Sequence, residues 1–477
     1  MIQRRHQQRN LFEAVIGSVE QLSQGLVEPA LKRLDEVLAD EILLDMVMQQ
    51  LAKRRPHSRS RGRPSTPGEV ALRMLVLKRL KGWSFEQTEY EVRQNLVYRH
   101  LARVYFERVP DAKTLVRLSA AIGEEGIKAI HQRVVEMARE QRLIEGRRAW
   151  VDTTVVESNI RYPTDSRLLQ DGVRVLTRAF KRVQAVSGVI GGKLRNRLGA
   201  TTHRVLEITR AARSRVGQGR QRLERGYRRL LSIVRSTVRD AQRVCAEVSS
   251  DVRTAVSHRG VKAMSSNQAR LEHFVPLVRR VIAQTQARIF HHDTHYPDKV
   301  FSLFEPYSEA IRKGKAARPT EFGKLLRVQE AEHQIVVDYQ VYEQRPEDQS
   351  LVVPTIAAHL RVFSRPPQLL AADRGFWSAA NKRAATQRGV KRVCIPALGK
   401  LKPDQAAEQR QRWFRRGQRW RVGCEGRISV LKRRDGLARC RYRGMEGMKR
   451  WVGWGIVSNN LQVLMKSTAM PRRGRIS

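Results

Sequence analysis

Two kinds of hydrophobic periodicity alternate along this chain, and their order constrains its fold more than any other feature. Residues 148–156, Arg-Ala-Trp-Val-Asp-Thr-Thr-Val-Val, are rich in β-branched and aromatic side chains and are bounded by Gly146 and by Glu157-Ser158-Asn159, which predicts a strand. From about 166 to 290 the pattern is helical almost throughout. Leu169, Val173, Leu176, Phe180 and Val183 recur at steps of four and three, as do Leu223, Tyr227, Leu230 and Val234, and again Leu271, Phe274, Val278 and Val281. Strand patterning returns at 324–330 and 334–342 across a break at Glu332-His333, which predicts an antiparallel hairpin. A helix at 351–362, a short buried strand at 368–376 ending on Asp373 and Gly375, a helix at 378–388, a strand at 390–396 and a last helix follow. Three strands, helix, strand, helix, strand, helix make a mixed α/β sheet, and the helical stretch is an insertion into it. Breaks at 188–199 and 249–266 divide the insertion into three antiparallel helices. Its 201–250 segment holds twelve Lys and Arg against four Asp and Glu, so its outer face suits either a solvated stalk or a DNA clamp.

Ahead of the first strand the chain is helical. Val27, Leu31, Leu34, Leu38, Ile42 and Leu43 give an amphipathic lead-in. Residues 53–64 carry two prolines and six bases with no period, an extended arm that either touches phosphates through residues such as Arg61 and Arg63 or is a solvated linker. Thr66-Pro67-Gly68-Glu69 reads as a capping box opening a helix to Leu80; Gly82-Trp83 ends it, and Ser84-Phe85-Glu86-Gln87 opens a second one. The pair resembles a helix-turn-helix with Arg93, Arg99 and Arg103 available to DNA, or else a bundle that only packs. A further helix starts at Pro110-Asp111 and runs to about Arg142.

Charge narrows the partner. With 92 Lys and Arg against 46 Asp and Glu, a formal net charge of +46, the chain has the electrostatics of a polyanion binder, and nucleic acid is the polyanion it fits. Four scattered cysteines with no C-x-x-C pair argue against zinc and disulfides and for reduced thiols. Residues 1–10 lack an apolar signal core and no run of about 18 apolar residues occurs, so the expectation is an unexported, cytoplasmic, nucleoid-associated protein with no membrane contact.

Three acids carry the chemistry. Asp152 lies in the first strand and Asp373 ends another. Glu425 sits on a helix where Arg421, Glu425 and Lys432, at steps of four and seven, share a face, inside a segment, 401–450, that holds sixteen bases and five acids. Converging at one sheet edge, such oxygens suit Mg²⁺ or Mn²⁺, and two such ions would activate a water or 3′-hydroxyl and stabilise the leaving oxygen of a phosphodiester. Glu157, Glu321 and Asp338 are reserve acids near strands. His291-His292-Asp293-Thr294-His295 is either a metal motif or a surface cluster, Trp377 either stacks on a displaced base or packs, and Trp451, Trp454 and Ile456 are expected to pack the last helix onto the sheet.

The order of elements around Asp152, Asp373 and Glu425 resembles the DDE transposases of bacterial insertion sequences. Ala372-Asp373-Arg374-Gly375-Phe376 resembles that family's second-acid block, and Arg421-x3-Glu425-x6-Lys432 resembles the Y-x2-R-x3-E-x6-K signature of its IS4/IS5-like branches, with Gln418 at the tyrosine position. Residues 62–117 resemble the N-terminal helical DNA-binding domain of the IS5-type members. The helical insertion departs from the better-known IS4 members, which points to an outlying, unclassified group. The resemblance implies an RNase H-like catalytic domain with Asp152, Asp373 and Glu425 as catalytic metal ligands for two Mg²⁺ or Mn²⁺ ions. It also implies DNA contacts from Arg421, Lys432, Arg374, Arg93, Arg61 and Arg63, with double-stranded DNA as partner and a homodimer or larger assembly at work. The expected division is a helical lead-in at 1–52, a DNA-binding domain at 53–145, a catalytic domain at 146–165 and 300–465, the insertion at 166–299 and a basic tail at 466–477. A non-catalytic DNA-binding protein and a nuclease without strand transfer are the other readings.

Overall fold

The computed structural model of the protein describes residues 3–5, 28–53, 65–105, 107–187, 195–213, 219–251, 258–312 and 320–467. Most of the basic arm, with Arg61 and Arg63, much of the lead-in and the tail beyond 467 lie outside the described residues. The chain divides into one unit made of Met1–Ser158 and Gly323–Ser477, and a second, Asn159–Phe322.

The first unit opens with α1 (Pro29–Leu38) and α2 (Glu41–Ala52), two helices where one run was expected. Asp40 separates them, because its side chain accepts the Leu43 N–H at 2.8 Å and caps the second helix. α3 (Gly68–Lys81) starts one residue later than its sequence suggests, with Pro67 in the capping position and no side-chain cap. Glu69 pairs instead with Arg73 (3.0 Å) and Arg5 (3.1 Å). The helix ends on Gly82, whose φ of 71° only glycine adopts cheaply. α4 (Phe85–Gln94) is capped by Ser84 as expected, α5 (Leu96–Leu101) is short, and α6 (Ala112–Glu140) is capped by Asp111 and kinks at Gly123.

From Gly68 to Arg79 every residue of α3 is buried, charged ones included, so this helix is the axis of a bundle. Arg73 is held by Asp35 at 2.6 Å and Arg79 donates to the carbonyls of Asp435 (2.6 Å) and Trp451 (3.0 Å). Two arginines expected to face DNA also belong to this packing. Arg99 donates to the carbonyls of Tyr105 and Glu107, and Arg103 pairs with Asp35, because basic side chains near buried carbonyls and carboxylates satisfy them first. Arg93 is exposed and paired with Glu89.

The sheet of this unit is built from β1 (Arg148–Glu157), β3 (Thr320–Glu330), β4 (Val336–Val341), β5 (Leu369–Ala372) and β6 (Arg392–Cys394), where β2 is the strand named with the insertion below. Its order is β4-β3-β1-β5-β6, with β3 antiparallel to β1 and β4, and β5 parallel to β1 and β6. The hairpin turn at 332–334 carries His333 and Gln334 at positive φ. At the far end of β1, Glu157 pairs with Gly323, whose lack of a side chain lets the Val156 carbonyl lie against it. One face is covered by α11 (Val352–Phe363) and α12 (Ala379–Gln387) around Ala149, Val151, Ile356, Leu370 and Phe376. After α13 (Pro403–Arg410) come α14 (Arg412–Arg433) and α15 (Gly444–Ser467). α15 reaches the sheet through Asn460, which bonds both backbone groups of Val336 at 3.0 and 2.8 Å. Its Trp454 joins the core of the N-terminal helices and its Trp451 ring lies 3.9 Å from the Arg79 guanidinium, so these tryptophans pack on the bundle as well.

Among the described residues the second unit holds four helices, α7 (Asp165–Ser187), α8 (Leu198–Arg213), α9 (Gly219–Asp251) and α10 (His258–Phe290), followed by β2 (Glu309–Arg312). Three helices were expected; the extra division is that α8 ends at Arg213 and α9 begins at Gly219, where the sequence reading took the pattern as continuous. Leu169, Val173, Leu176, Leu230, Val234, Leu271 and Val278 form its core.

Candidate active site

β1 is a strand because its alternating residues have partners on both sides, and it carries Asp152 near its middle, half-buried. β5 stops at Ala372, and Asp373 caps the turn Arg374–Phe376 by accepting the Arg374 N–H at 2.6 Å. Asp152 makes the same kind of bond to the Thr153 N–H, also at 2.6 Å. The parallel register ends with Val151 opposite Ala372, so Asp152 and Asp373 are the next residues on adjacent strands, whose backbones lie about 4.8 Å apart.

α14 crosses the same face. Strand alternation puts Arg148, Trp150 and Asp152 on one side and, on β5, Leu369, Ala371 and Asp373. Opposite Trp150 stands Glu330, 3 % exposed, which accepts from Cys424 Sγ at 3.7 Å and meets Arg427 Nε at 3.4 Å without hydrogen-bond alignment. Arg148 stacks at 6.0 Å over Trp420. At the other end of the helix Gly417 rests on Cys394 and Leu369, where a Cβ would stand 2.6 Å from Cys394 Sγ, and Gln418 donates to the Cys394 carbonyl at 3.0 Å. Trp420 thus lies against the start of β1, Cys424 and Arg427 against the end of β3, and Gln418 against the end of β6. Glu425 is 46 % exposed at its side chain and ion-paired with Arg421, which is 13 % exposed and donates to Gln418 at 3.1 Å. Gln418, at the tyrosine position of the signature, therefore holds the arginine that holds the glutamate.

The three acids do not meet as one cluster: among the described residues no three His, Cys, Asp or Glu side chains form a group that could hold a metal ion. Two of them, Asp152 and Asp373, are neighbours in the sheet; the third is drawn to Arg421. Three carboxylates are a donor set for a hard divalent cation; Asp373 has no ion-pair partner among the described residues, whereas Glu425 is held by Arg421.

Arg374 is exposed in the turn after Asp373, and Lys432 lies in the last turn of α14. The reserve acids are otherwise engaged. Glu157 pairs with Arg439 at 2.9 Å, Asp338 pairs with Arg327, and Glu321 is buried at the start of β3. His291, His292 and His295 are exposed, and His292 meets Arg220. Trp377 forms a wall of a cavity of about 420 Å³ with Lys382, Gln405, Glu408 and Phe414.

Two acids escaped the sequence reading. Asp348 accepts from Thr153 Oγ1 at 3.2 Å, and its Oδ2 lies 3.4 Å from where a Cβ on Gly375 would be, so it stands behind the Asp373 turn. Nothing in its Glu-Asp-Gln-Ser context signals this. Glu330 had a signal, an acid at the inward phase of an alternating strand. Burial pushes its carboxyl up to about 7, against the opposing pull of Arg427 and Cys424.

The four cysteines form no disulfide, and among the described residues no helix is long and apolar enough to cross a membrane. No curated protein and no solved structure matches the chain. Residues 23–120 match a transposase domain (DUF772), and residues 380–465, which contain Glu425 but neither Asp152 nor Asp373, match a transposase DDE domain. The two matches together indicate a transposase and support the DDE type, that of an insertion sequence.

Proposed function

We propose that the protein cuts and joins DNA at the ends of an insertion sequence with Asp152, Asp373 and Glu425 as its catalytic acids. The observation that carries this reading is the Val151–Ala372 register, after which Asp152, within β1, and Asp373, just past the end of β5, are the next residues on neighbouring parallel strands, in a sheet that the Glu425 helix crosses. The sheet order, with its second strand antiparallel and its last two parallel, agrees with an RNase H-like domain of the IS4/IS5-like or an unclassified group. The three carboxylates would hold two Mg²⁺ or Mn²⁺ ions, whose chemistry is to activate an attacking hydroxyl and stabilise the leaving oxygen. Arg421 has two duties, holding Glu425 aside and, once released, neutralising a phosphate near the scissile bond; Lys432 and Arg374 add charge beside it. Arg93 and the basic arm with Arg61 and Arg63 would contact DNA farther out, with the bundle as a helix-turn-helix-like reader of element ends. Pairing two ends requires at least a dimer, and the location is the bacterial nucleoid.

The test is Asp152→Asn, Asp373→Asn and Glu425→Gln, each on DNA carrying the inverted repeats that flank the coding sequence. Each should abolish strand cleavage and leave DNA binding within about twofold. The Arg421–Glu425 pair favours a second reading, a DNA-binding protein in which these acids only balance charge, and full activity in the triple variant would establish it. A nuclease on the same fold would cut but form no joined products from pre-cut ends.

A further inference from the structure

The insertion carries a feature that cleavage does not use. Along α9 the exposed positions at steps of three and four are Arg222, Arg225, Arg228, Ser232, Arg235, Arg239 and Arg243. The 21 steps from Arg222 to Arg243, at 1.5 Å each, make this stripe about 31 Å long. The opposite face of the helix supplies Leu230, Val234, Val238, Ala241 and Val244 to the core of the bundle. The arginines are thus not needed for packing, and the apolar face is not available to a lipid surface.

Ion pairing does not explain them either. Glu224 reaches Arg228 at 3.9 Å, and Asp240 and Glu247 reach Arg243, while Asp165, Asp171 and Glu207 pair with Arg288, Arg174 and Arg204. Among the described residues, no acid is in ion-pair contact with Arg222, Arg225, Arg235 or Arg239. Four guanidinium groups in one row repel one another unless a polyanion lies along them.

We propose that this face of α9 is a separate binding surface for double-stranded DNA, holding phosphates along about nine base pairs without reading sequence. The choice of duplex DNA rests on the transposase reading; the row of cations does not. By gripping DNA away from the acids, the insertion would keep a target or an element arm on the protein while the other end is processed.

The test uses the full chain and a 40-base-pair duplex of arbitrary sequence, with affinity measured by fluorescence anisotropy across a salt series. The quadruple variant Arg222→Gln/Arg225→Gln/Arg235→Gln/Arg239→Gln should flatten the slope of log K against log salt by about 3 to 4 and weaken binding about a thousandfold at 0.1 M salt. The matching Arg→Lys quadruple should bind as the parent does. If the Gln quadruple loses helicity, the doubles Arg222→Gln/Arg225→Gln and Arg235→Gln/Arg239→Gln take its place, each flattening the slope by about 2. An unchanged slope in the Gln variants, no recovery with lysine, or an equal loss of binding to single-stranded RNA or to anionic vesicles with duplex binding intact overturns the proposal. Cleavage that persists in Asp152→Asn marks failure of the catalytic reading, and unaltered salt dependence in the α9 Gln variants marks failure of this one.

Discussion

Glu330 gives a quantitative test of how the Glu425 helix is held to the sheet. Its carboxyl ionises near 4.5 in an unfolded chain and near 7 in the folded one, chiefly because burial beneath α14 strips it of water. Below pH 4.5 both states carry the proton and the residue contributes no pH-dependent cost. As the pH rises from 4.5 the unfolded chain loses the proton first, so stability falls until about pH 7, and the whole penalty is roughly 3 kcal/mol. Integrated between pH 5 and pH 8, the loss from this one group is roughly 2 to 3 kcal/mol. Glu330→Gln keeps the shape and the acceptor facing Cys424 and cannot ionise, so urea unfolding of the two proteins side by side should show the variant gaining on the parent by that amount as the pH is raised. A stability gap that is the same at pH 5 and pH 8 would mean that Glu330 is solvated or fully paired with Arg427, and that α14 is not seated over a dry carboxyl.

Other consequences can be checked as directly. Gly323→Ala would drive a methyl into the Val156 carbonyl and part β1 from β3 at the Glu157 end of the pair, at a cost of about 2 kcal/mol or more in chemical denaturation. Arg79→Met leaves the Asp435 and Trp451 carbonyls without their buried donor and should lower stability by about 2 to 4 kcal/mol, with the loss seen in the unfolding of the N-terminal helices and α15 together. Chelation with EDTA should stop strand cleavage and leave DNA binding intact, and Mg²⁺ or Mn²⁺ should restore it; activity that persists under chelation refutes the assignment of ions to the three carboxylates.

How far the sequence reached depended on the range of the forces involved. The strand that bears Asp152, the turn at Asp373 and the helix of Glu425 were legible because β-branched runs, a turn glycine and apolar steps of three and four are local signals. The register that sets Val151 against Ala372 was not, since it joins residues more than two hundred positions apart and depends on what packs on both faces. Nor was the burial of Arg73 and Arg79 in α3. A basic residue reads as exposed until the carboxylate or carbonyl that receives it, here Asp35, Asp435 or Trp451, is folded against it. The Arg421–Glu425 pair was half visible: the spacing of four gave the contact, but the hold of Gln418 on Arg421 shows only in the fold.

The pairing of Glu157 with Gly323 has a consequence for the history of the chain. The long helical module departs from one strand and rejoins at its hydrogen-bonded neighbour, as close together as the two stems of a hairpin. A doorway that narrow lets a whole domain be gained, exchanged or lost while the rungs between the two strands stay in step, and a tight turn of a few residues would close the gap.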